Sequence, residues 1–332
     1  MGRQSIAITG ATGFIGRCLV SALAARDAEV IALTRPGSRP SHQWRTAGVV
    51  SSVVGSEDIE CLDRLVATLL AHRIEIVFHL AADNRNNLGG ESPWTLFESN
   101  IRLSYMLYEA CRVAGVKKIV SVTSREADAL SVDRAAKLQP YAASKIALEV
   151  IVRSFRDSYG LPVVLLKPDN VYGGGDTNPR RLIPWAIREH LEGRMPSVPQ
   201  ANLSTRRGYL YVDDMVSALI TAAEAELQEQ ALIFSVSALE TYSVGEVLRA
   251  IGERFGVSPD KGSDDPQSEA QRDAGLFGSV PLTGFVPTTS FSNGLDLTVQ
   301  WYRSKIDDNS SRSGVGPVNE PVRRYALDER TP

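Results

Sequence analysis

Gly10-Ala11-Thr12-Gly13-Phe14-Ile15-Gly16 follows a short apolar run at 5–9 and opens a stretch of helical periodicity at 14–25. A glycine triplet in this strand–turn–helix order binds a dinucleotide rather than merely turning the chain. Gly10 permits the tight turn, Gly13 lets the backbone approach a pyrophosphate, and Gly16 lets the helix pack closely on the sheet. The amino end of that helix offers free N–H groups and a partial positive charge to phosphate.

Outward from this turn, apolar runs of strand length alternate with helical stretches to about residue 170. The pattern predicts strands at 29–34, 49–54, 75–79, 118–122 and 162–166, with helices over 58–71, 92–114 and 140–158. Short, continuously apolar strands between helices imply a parallel sheet covered on both faces. The fold class is therefore α/β, a Rossmann-type doubly wound parallel sheet. After Asn170 the rhythm breaks: 171–176 is glycine-rich, and prolines stand at 179, 184, 196 and 199. Residues 171–230 and 238–303 are assigned to a smaller, interleaved substrate lobe. A strand near 231–237 returns to the sheet built by residues 1–170. The polar stretch 304–332 is expected to be a disordered tail.

The 332 residues are 43% hydrophobic and 23% charged, ample for a globular core. A net charge of −3 leaves no basic footprint, so nucleic acid is not an expected partner. The three cysteines have no metal-ligand spacing. They suit a reducing cytoplasm without a disulfide framework or metal centre. No charged-then-apolar leader precedes the first strand, so no signal peptide is expected. No apolar run approaches the ~18 residues of a membrane span.

A second stretch carries the chemistry. In Tyr141-Ala142-Ala143-Ser144-Lys145 the phenol and the ammonium lie four residues apart, on one helix face. A phenol with an ordinary pKa of ~10 is a poor base, and the ammonium is expected to pull that value down. Lys145 can also bind the nicotinamide ribose. Val122-Thr123-Ser124, at a strand end, supplies a hydroxyl. Ser124 is expected to hold a substrate oxygen while Tyr141 moves a proton and a nicotinamide moves a hydride. The second strand ends in Thr34-Arg35, with Arg39 nearby, and lacks the carboxylate that binds both ribose hydroxyls of NAD. A hydroxyl and a guanidinium suit a 2′-phosphate, so NADP(H) is favoured and NAD(H) remains possible. His79 is read as a packed strand-end histidine.

The G-x-x-G-x-x-G spacing, with Phe14-Ile15-Gly16 and the Tyr-x-x-x-Lys, resembles the extended short-chain dehydrogenase/reductases, the NAD(P)-dependent epimerase/dehydratase family. Lys167-Pro168-Asp169-Asn170-Val171-Tyr172-Gly173 resembles its Arg-Pro-x-Asn-Val-Tyr-Gly. Arg207-Gly208-Tyr209-Leu210-Tyr211-Val212-Asp213-Asp214 resembles its Arg-Asp-Phe-x-x-Val-Asp-Asp. Gly284-Phe285-Val286-Pro287 resembles its C-terminal Gly-Phe-x-Pro. The resemblance implies that Thr12, Phe14 and Ile15 line the cofactor turn and that Asp58 and Ile59 flank the adenine. It places Leu80, Ala81 and Ala82 under the adenosine half. Asn100, Lys167, Asn170 and Val171 join the cofactor site, although Asn100 can equally serve by holding a backbone group. The implied substrate is a nucleotide diphosphate sugar, with Asn170, Arg181 and Arg207 as ligands and Arg207 on the diphosphate. The implied assembly is a homodimer through 92–114 and 140–158. Leu103, Met106, Leu107, Ile146, Val150 and Ile151 then lie at the seam or face the sheet.

Three reactions at sugar C4 fit this resemblance. A 4,6-dehydratase needs an extra acid and base, and family dehydratases carry Asp-Glu directly after the Ser/Thr. Here Arg125-Glu126 stands there. Glu126 remains a candidate acid/base, an exposed loop carboxylate or the partner of Arg125. A 4-epimerase needs a tightly held cofactor. A 4-ketoreductase needs Ser124, Tyr141, Lys145 and exchangeable NADPH. Asp128-Ala129 replaces the usual Tyr-Gly in a short loop that resembles the 4-ketoreductases. The order is reductase, epimerase, dehydratase. The alternative from another class is an NADP-binding sensor, and such relatives usually lose the tyrosine or the lysine.

Overall fold

Strand β1 (Ser5–Thr9) is buried at every position, as a strand with helices on both faces must be. The computed structural model describes residues 3–26, 28–35, 38, 44, 49–53, 60–85, 93–128, 138–225, 232–257 and 278–312. The further strands are β2 (Glu29–Thr34), β3 (Val50–Val53), β4 (Ile76–His79), β5 (Lys118–Val122), β6 (Val163–Pro168), β7 (Asn170–Tyr172), β8 (Arg206–Tyr211), β9 (Ile233–Val236), β10 (Thr241–Ser243) and β11 (Val280–Pro281). The helices are α1 (Phe14–Ala24), α2 (Glu60–Ala71), α3 (Leu103–Ala114), α4 (Pro140–Tyr159), α5 (Leu182–Leu191), α6 (Val212–Glu224), α7 (Val244–Glu253) and α8 (Phe291–Arg312).

Eight strands form one parallel sheet in the order β11-β9-β6-β5-β4-β1-β2-β3. This is the Rossmann-type sheet expected from the sequence. Alternation along β1 sends Ile6 and Ile8 to one face and Ala7 to the other. On the first face they meet Leu19, Val20 and Leu23 of α1 and Met215 and Leu219 of α6. On the second, Ala7 joins Leu65 and Leu69 of α2, Leu107 and Tyr108 of α3, and Leu148, Val152 and Phe155 of α4. The chain leaves β1 toward β2 and β3, then crosses back to β4. That reversal opens a crevice at the carboxyl ends of β1 and β4, where such sheets bind nucleotides.

Three expectations need correction. The helix expected over 92–114 is not uniform. A short turn at Trp94–Leu96 leads into a π-helical stretch, Phe97–Arg102, before α3. The widened stretch carries Asn100, a buried residue whose side chain is tied to other segments, as below. The lobe is also less separate than the domain ranges implied. It owns a three-stranded sheet, β10-β8-β7, and a core of Tyr172, Ile187, Tyr209, Val247, Phe291 and Leu295. Yet α6, within 171–230, packs on the main sheet, and β11, within 238–303, pairs with β9. Finally, α8 runs to Arg312, into the stretch read as tail. Leu295, Val299 and Tyr302 anchor it on the lobe, and adding residues to a nucleated helix costs little. Asp58, Ile59, Arg39 and 313–332 lie outside the described residues.

Candidate active site

At the end of β1, Gly10 has φ +70° and its carbonyl accepts the Gly13 N–H at 2.9 Å. A Cβ on Gly10 would lie 2.6 Å from Ala81 N, and one on Gly16 would lie 2.1 Å from Gly10 O. The first and third glycines are thus required by the backbone itself. Gly13, exposed, is the N-cap of α1 and gives no side-chain cap. The first amides of α1 therefore have no side-chain acceptor at this cap, which suits a phosphate. Thr12 is exposed beside them, and Phe14 and Ile15 are half-buried. Leu80 and Ala81 line the crevice across from Gly10, with exposed Ala82 next.

Ser124, Tyr141 and Lys145 come together at the carboxyl end of β5 and the first turns of α4. The Tyr141 phenol is hydrogen-bonded to the Ser124 side chain. Lys145 Nζ stands 5.8 Å from the Tyr141 ring centroid and donates to the Val122 carbonyl at 3.0 Å. Burial pushes the Tyr141 phenol above its ordinary value, against the bond from Ser124 and the Arg181 cation, which lower it. This corrects the expectation of a phenol depressed by Lys145: desolvation outweighs Ser124 and Arg181, the groups that lower it. Burial thus favours the neutral phenol. Burial lowers Lys145 to about 8, with Glu149 opposing the shift.

The expected site residues divide. Asn100 donates to Asp83 O (2.8 Å) and Ser144 Oγ (2.9 Å) and accepts from Asp83 N (2.7 Å). Its amide ties the loop after β4 to α4, the backbone-holding alternative named for it. Lys167 has a buried ammonium that pairs with Asp128 at 2.6 Å and Glu149 at 3.1 Å. His79 is the packed histidine expected. Ser104 Oγ donates to Asn100 O, so Nε2–H is assigned as donor to Ser104 Oγ (2.8 Å) and Nδ1 as acceptor from Thr9 Oγ1 (2.7 Å).

Glu126 is exposed on the 3-10 turn Arg125–Asp128, and its charge raises the Tyr141 phenol. It is not the partner of Arg125, which pairs with Asp169 at 3.0 Å and reaches Ser237 Oγ at 3.1 Å. Arg181 pairs with Asp176 at 3.0 Å and is felt by Tyr141. Arg207 is exposed on β8, and Asn170 is exposed at the start of β7 beside half-buried Val171. Thr34 is buried at the end of β2 and Arg35 is exposed after it. Of the six apolar positions for a dimer seam, Leu107 is buried against the sheet, Met106 and Ile151 pack on the same core, and Val150 is exposed. Thr123, Asp128 and Glu149 were not anticipated. The signal was Glu149 itself, an acid four residues after Lys145 at core spacing.

A family model described as the NAD dependent epimerase/dehydratase family matches residues 6–236. The trifunctional UDP-glucose 4,6-dehydratase/UDP-4-keto-6-deoxy-D-glucose 3,5-epimerase/UDP-4-keto-L-rhamnose-reductase RHM3 of Arabidopsis thaliana is 26% identical over 322 residues, 90% of this chain and 47% of that protein. The chain spans about half the length of that relative and two similar ones. A dTDP-4-dehydro-6-deoxy-D-allose reductase of Streptomyces sp is 29% identical over 90% of this chain and 96% of its own length. The solved UDP-glucose 4-epimerase of Thermotoga maritima, bound to UDP-glucose, superposes with TM-score 0.73 at 24% identity, covering 91% of this chain and 100% of that one. At that identity the likeness carries the fold alone.

Proposed function

The chain belongs to the NAD dependent epimerase/dehydratase family, and on that premise we propose that it reduces a 4-keto nucleotide diphosphate sugar with NADPH. The carrying observation is the meeting of Ser124, Tyr141 and Lys145, beside an arginine paired with Asp169. Arg125 holds the place where family dehydratases carry an acid, and Asp169 engages it. A proton-donating tyrosine suits reduction. A bound nicotinamide supplies the hydride. Ser124 donates to the C4 carbonyl oxygen, Tyr141 gives that oxygen its proton, and the Lys145 ammonium steadies the phenolate left behind. The likeness to the Streptomyces reductase over nearly its whole length supports the same reading.

The exposed Arg207, with Arg181, supplies guanidinium groups for the diphosphate. Exposed Arg35 favours the 2′-phosphate of NADPH over NADH. The working unit is a homodimer, supported by the exposed Tyr105, Val113 and Val150 on α3 and α4. The free Cys18 and Cys111 suit a cytoplasmic location. Among the described residues no helix is long and apolar enough to cross a membrane.

The test incubates the purified chain with UDP- and dTDP-linked glucose and their 4-keto-6-deoxy forms, with NADPH and NADH supplied separately. NADPH consumption with a keto sugar is the expected result. Interconversion of C4 isomers without net cofactor use would instead establish an epimerase. Loss of water without net oxidation would establish a dehydratase. Dinucleotide binding with no turnover, unaltered by Tyr141→Phe, would indicate a sensor.

A further inference from the structure

Glu149 lies one helical turn beyond Lys145 on α4 and is wholly buried. A buried carboxylate is costly unless its oxygens are matched. Oε1 is matched, accepting from Thr123 Oγ1 at 2.8 Å and facing Lys167 Nζ at 3.1 Å. Oε2 accepts no hydrogen bond among the described residues. The surrounding charges explain why the acid is nonetheless kept. Lys167 has a shorter contact of its own, Asp128 at 2.6 Å. Two acids, Asp128 and Glu149, thus stand against two bases, Lys167 and Lys145, and all four are buried. Lys167 meets both acids, Asp128 more closely. The charge of Glu149 is therefore shared between Lys167 and Lys145, the latter one turn away on the same helix. Burial raises the Glu149 carboxyl, and Lys167 and Thr123 oppose that rise.

We propose that Glu149 is a positioning residue acting through Lys145: one helical turn away, it supplies negative charge that keeps the ammonium beside the Tyr141 ring protonated, while Asp128 takes the closer contact with Lys167. The proposal rests on the reading of Lys145 as the cation that serves Tyr141 and the cofactor. The other groups around Lys145 do not take over this task. His79, from β4, is buried and neutral, and Val122, from β5, offers a carbonyl. Asp83, Glu126 and Arg181 act on Tyr141. Burial alone drives the lysine toward its neutral form, and Glu149 works against that. With an uncharged residue at 149, the ammonium would give up its proton at a lower pH and the phenol would lose its cation.

Glu149→Gln keeps the shape and removes the charge. The measurement is NMR titration of lysine-labelled protein, with the Lys145 resonance identified by its disappearance in Lys145→Met. Glu149→Gln is expected to lower the Lys145 midpoint by about one pH unit or more. Lys167→Met, which removes a cation from the same cluster, is expected to raise it. An unmoved midpoint in Glu149→Gln overturns the proposal, as does a downward shift in both variants, which would reflect general loosening. If Glu149→Gln does not fold, Asp128→Asn draws Glu149 toward Lys167, and the Lys145 midpoint must then fall. A kinetic arm separates the two readings. With UDP- or dTDP-4-keto-6-deoxyglucose and NADPH, the alkaline limb of turnover in Glu149→Gln should move with the NMR midpoint. If Lys145→Met turns over like wild type, the catalytic reading of Lys145 fails while the charge coupling stands.

Discussion

Alanine at the three glycines of the first turn should separate fold from cofactor binding, because the three positions meet different obstacles. At Gly16 an added Cβ would lie 2.1 Å from Gly10 O and 2.8 Å from Ala11 Cα, both backbone atoms that cannot swing aside. Overpacking of this kind costs about 1–3 kcal/mol and sometimes more. At Gly10 the collision with Ala81 N at 2.6 Å adds to a φ of +70°, which itself costs about 1–2 kcal/mol for a residue with a Cβ. Gly13 differs: its φ is −72°, and its Cβ would meet Gly10 O alone, at 3.1 Å. That mild contact is offset by the ~0.4–1 kcal/mol gained by restricting the unfolded chain. Gly13→Ala should therefore melt close to wild type, with Gly16→Ala and Gly10→Ala lower by on the order of 2 °C per kcal/mol lost. The methyl at 13 would stand where the pyrophosphate approaches. Losing one charge-assisted N–H contact there, about 1.5–3 kcal/mol, weakens NADPH binding about 10- to 100-fold. Thermal unfolding and NADPH fluorescence titration read the two effects. Wild-type NADPH affinity in Gly13→Ala, or wild-type stability in Gly16→Ala, refutes the reasoning.

Tyr141→Phe should lower turnover by about 10²–10⁴-fold with NADPH affinity unchanged, and steady-state kinetics beside a binding titration checks both. Arg35→Glu should raise the Kd for NADPH at least about tenfold and leave that for NADH nearly constant; an equal effect on both would remove Arg35 from specificity. His79 is held at about 3 by burial, below its ordinary 6.5. The unfolded chain takes up this proton first as pH falls, so the contribution of His79 is full above about 6.5 and is lost toward about 3, at up to ~1.4 kcal/mol per pH unit. Denaturant unfolding at several acidic pH values should give a shallower slope for His79→Gln. Gly208→Ala would put a Cβ 2.2 Å from Asp169 Oδ2. It should destabilise the wild-type chain yet cost much less in an Asp169→Ala background, and a double-mutant cycle that finds the two additive would contradict this.

The parallel sheet was legible because its strands are nearly pure apolar runs and its first turn carries glycines that backbone contacts demand. The two-residue β11 and the three-residue β7 and β10 were not, since strands so short carry too little periodicity to register. The placement of α6 was hidden for another reason: a helix with Met215, Leu219 and Ala222 inside reads alike whether the lobe or the sheet covers it. That Tyr141, Lys145 and Ser124 come together was legible because helix geometry fixes two of them and a strand end the third. The direction of the phenol shift was not, because desolvation depends on what covers the ring, and no local spacing encodes that.

The family motifs carry the last point. Taken singly, Arg125, Asp128, Lys167 and Gly208 each read as a departure from the family pattern. In space they fall into two exchanges. Gly208, where the family has an aspartate, leaves room for the Asp169 carboxylate, which pairs with Arg125 and accepts the Ala238 N–H at 2.9 Å. Lys167, where the family has arginine, meets Asp128, where the family has tyrosine. Each exchange keeps its region charge-matched, so neither marks a decayed site. Together they pin both ends of the 3-10 turn that carries Glu126, through Arg125 to β6 and β9 and through Asp128 to the sheet floor. A turn held at both ends fixes the place of Ser124, which immediately precedes it. With Arg125 committed to Asp169, it has no acid at that position to expel a hydroxyl. Elimination at this site would require Glu126 to serve as acid and base in turn, a demand that simple reduction does not make.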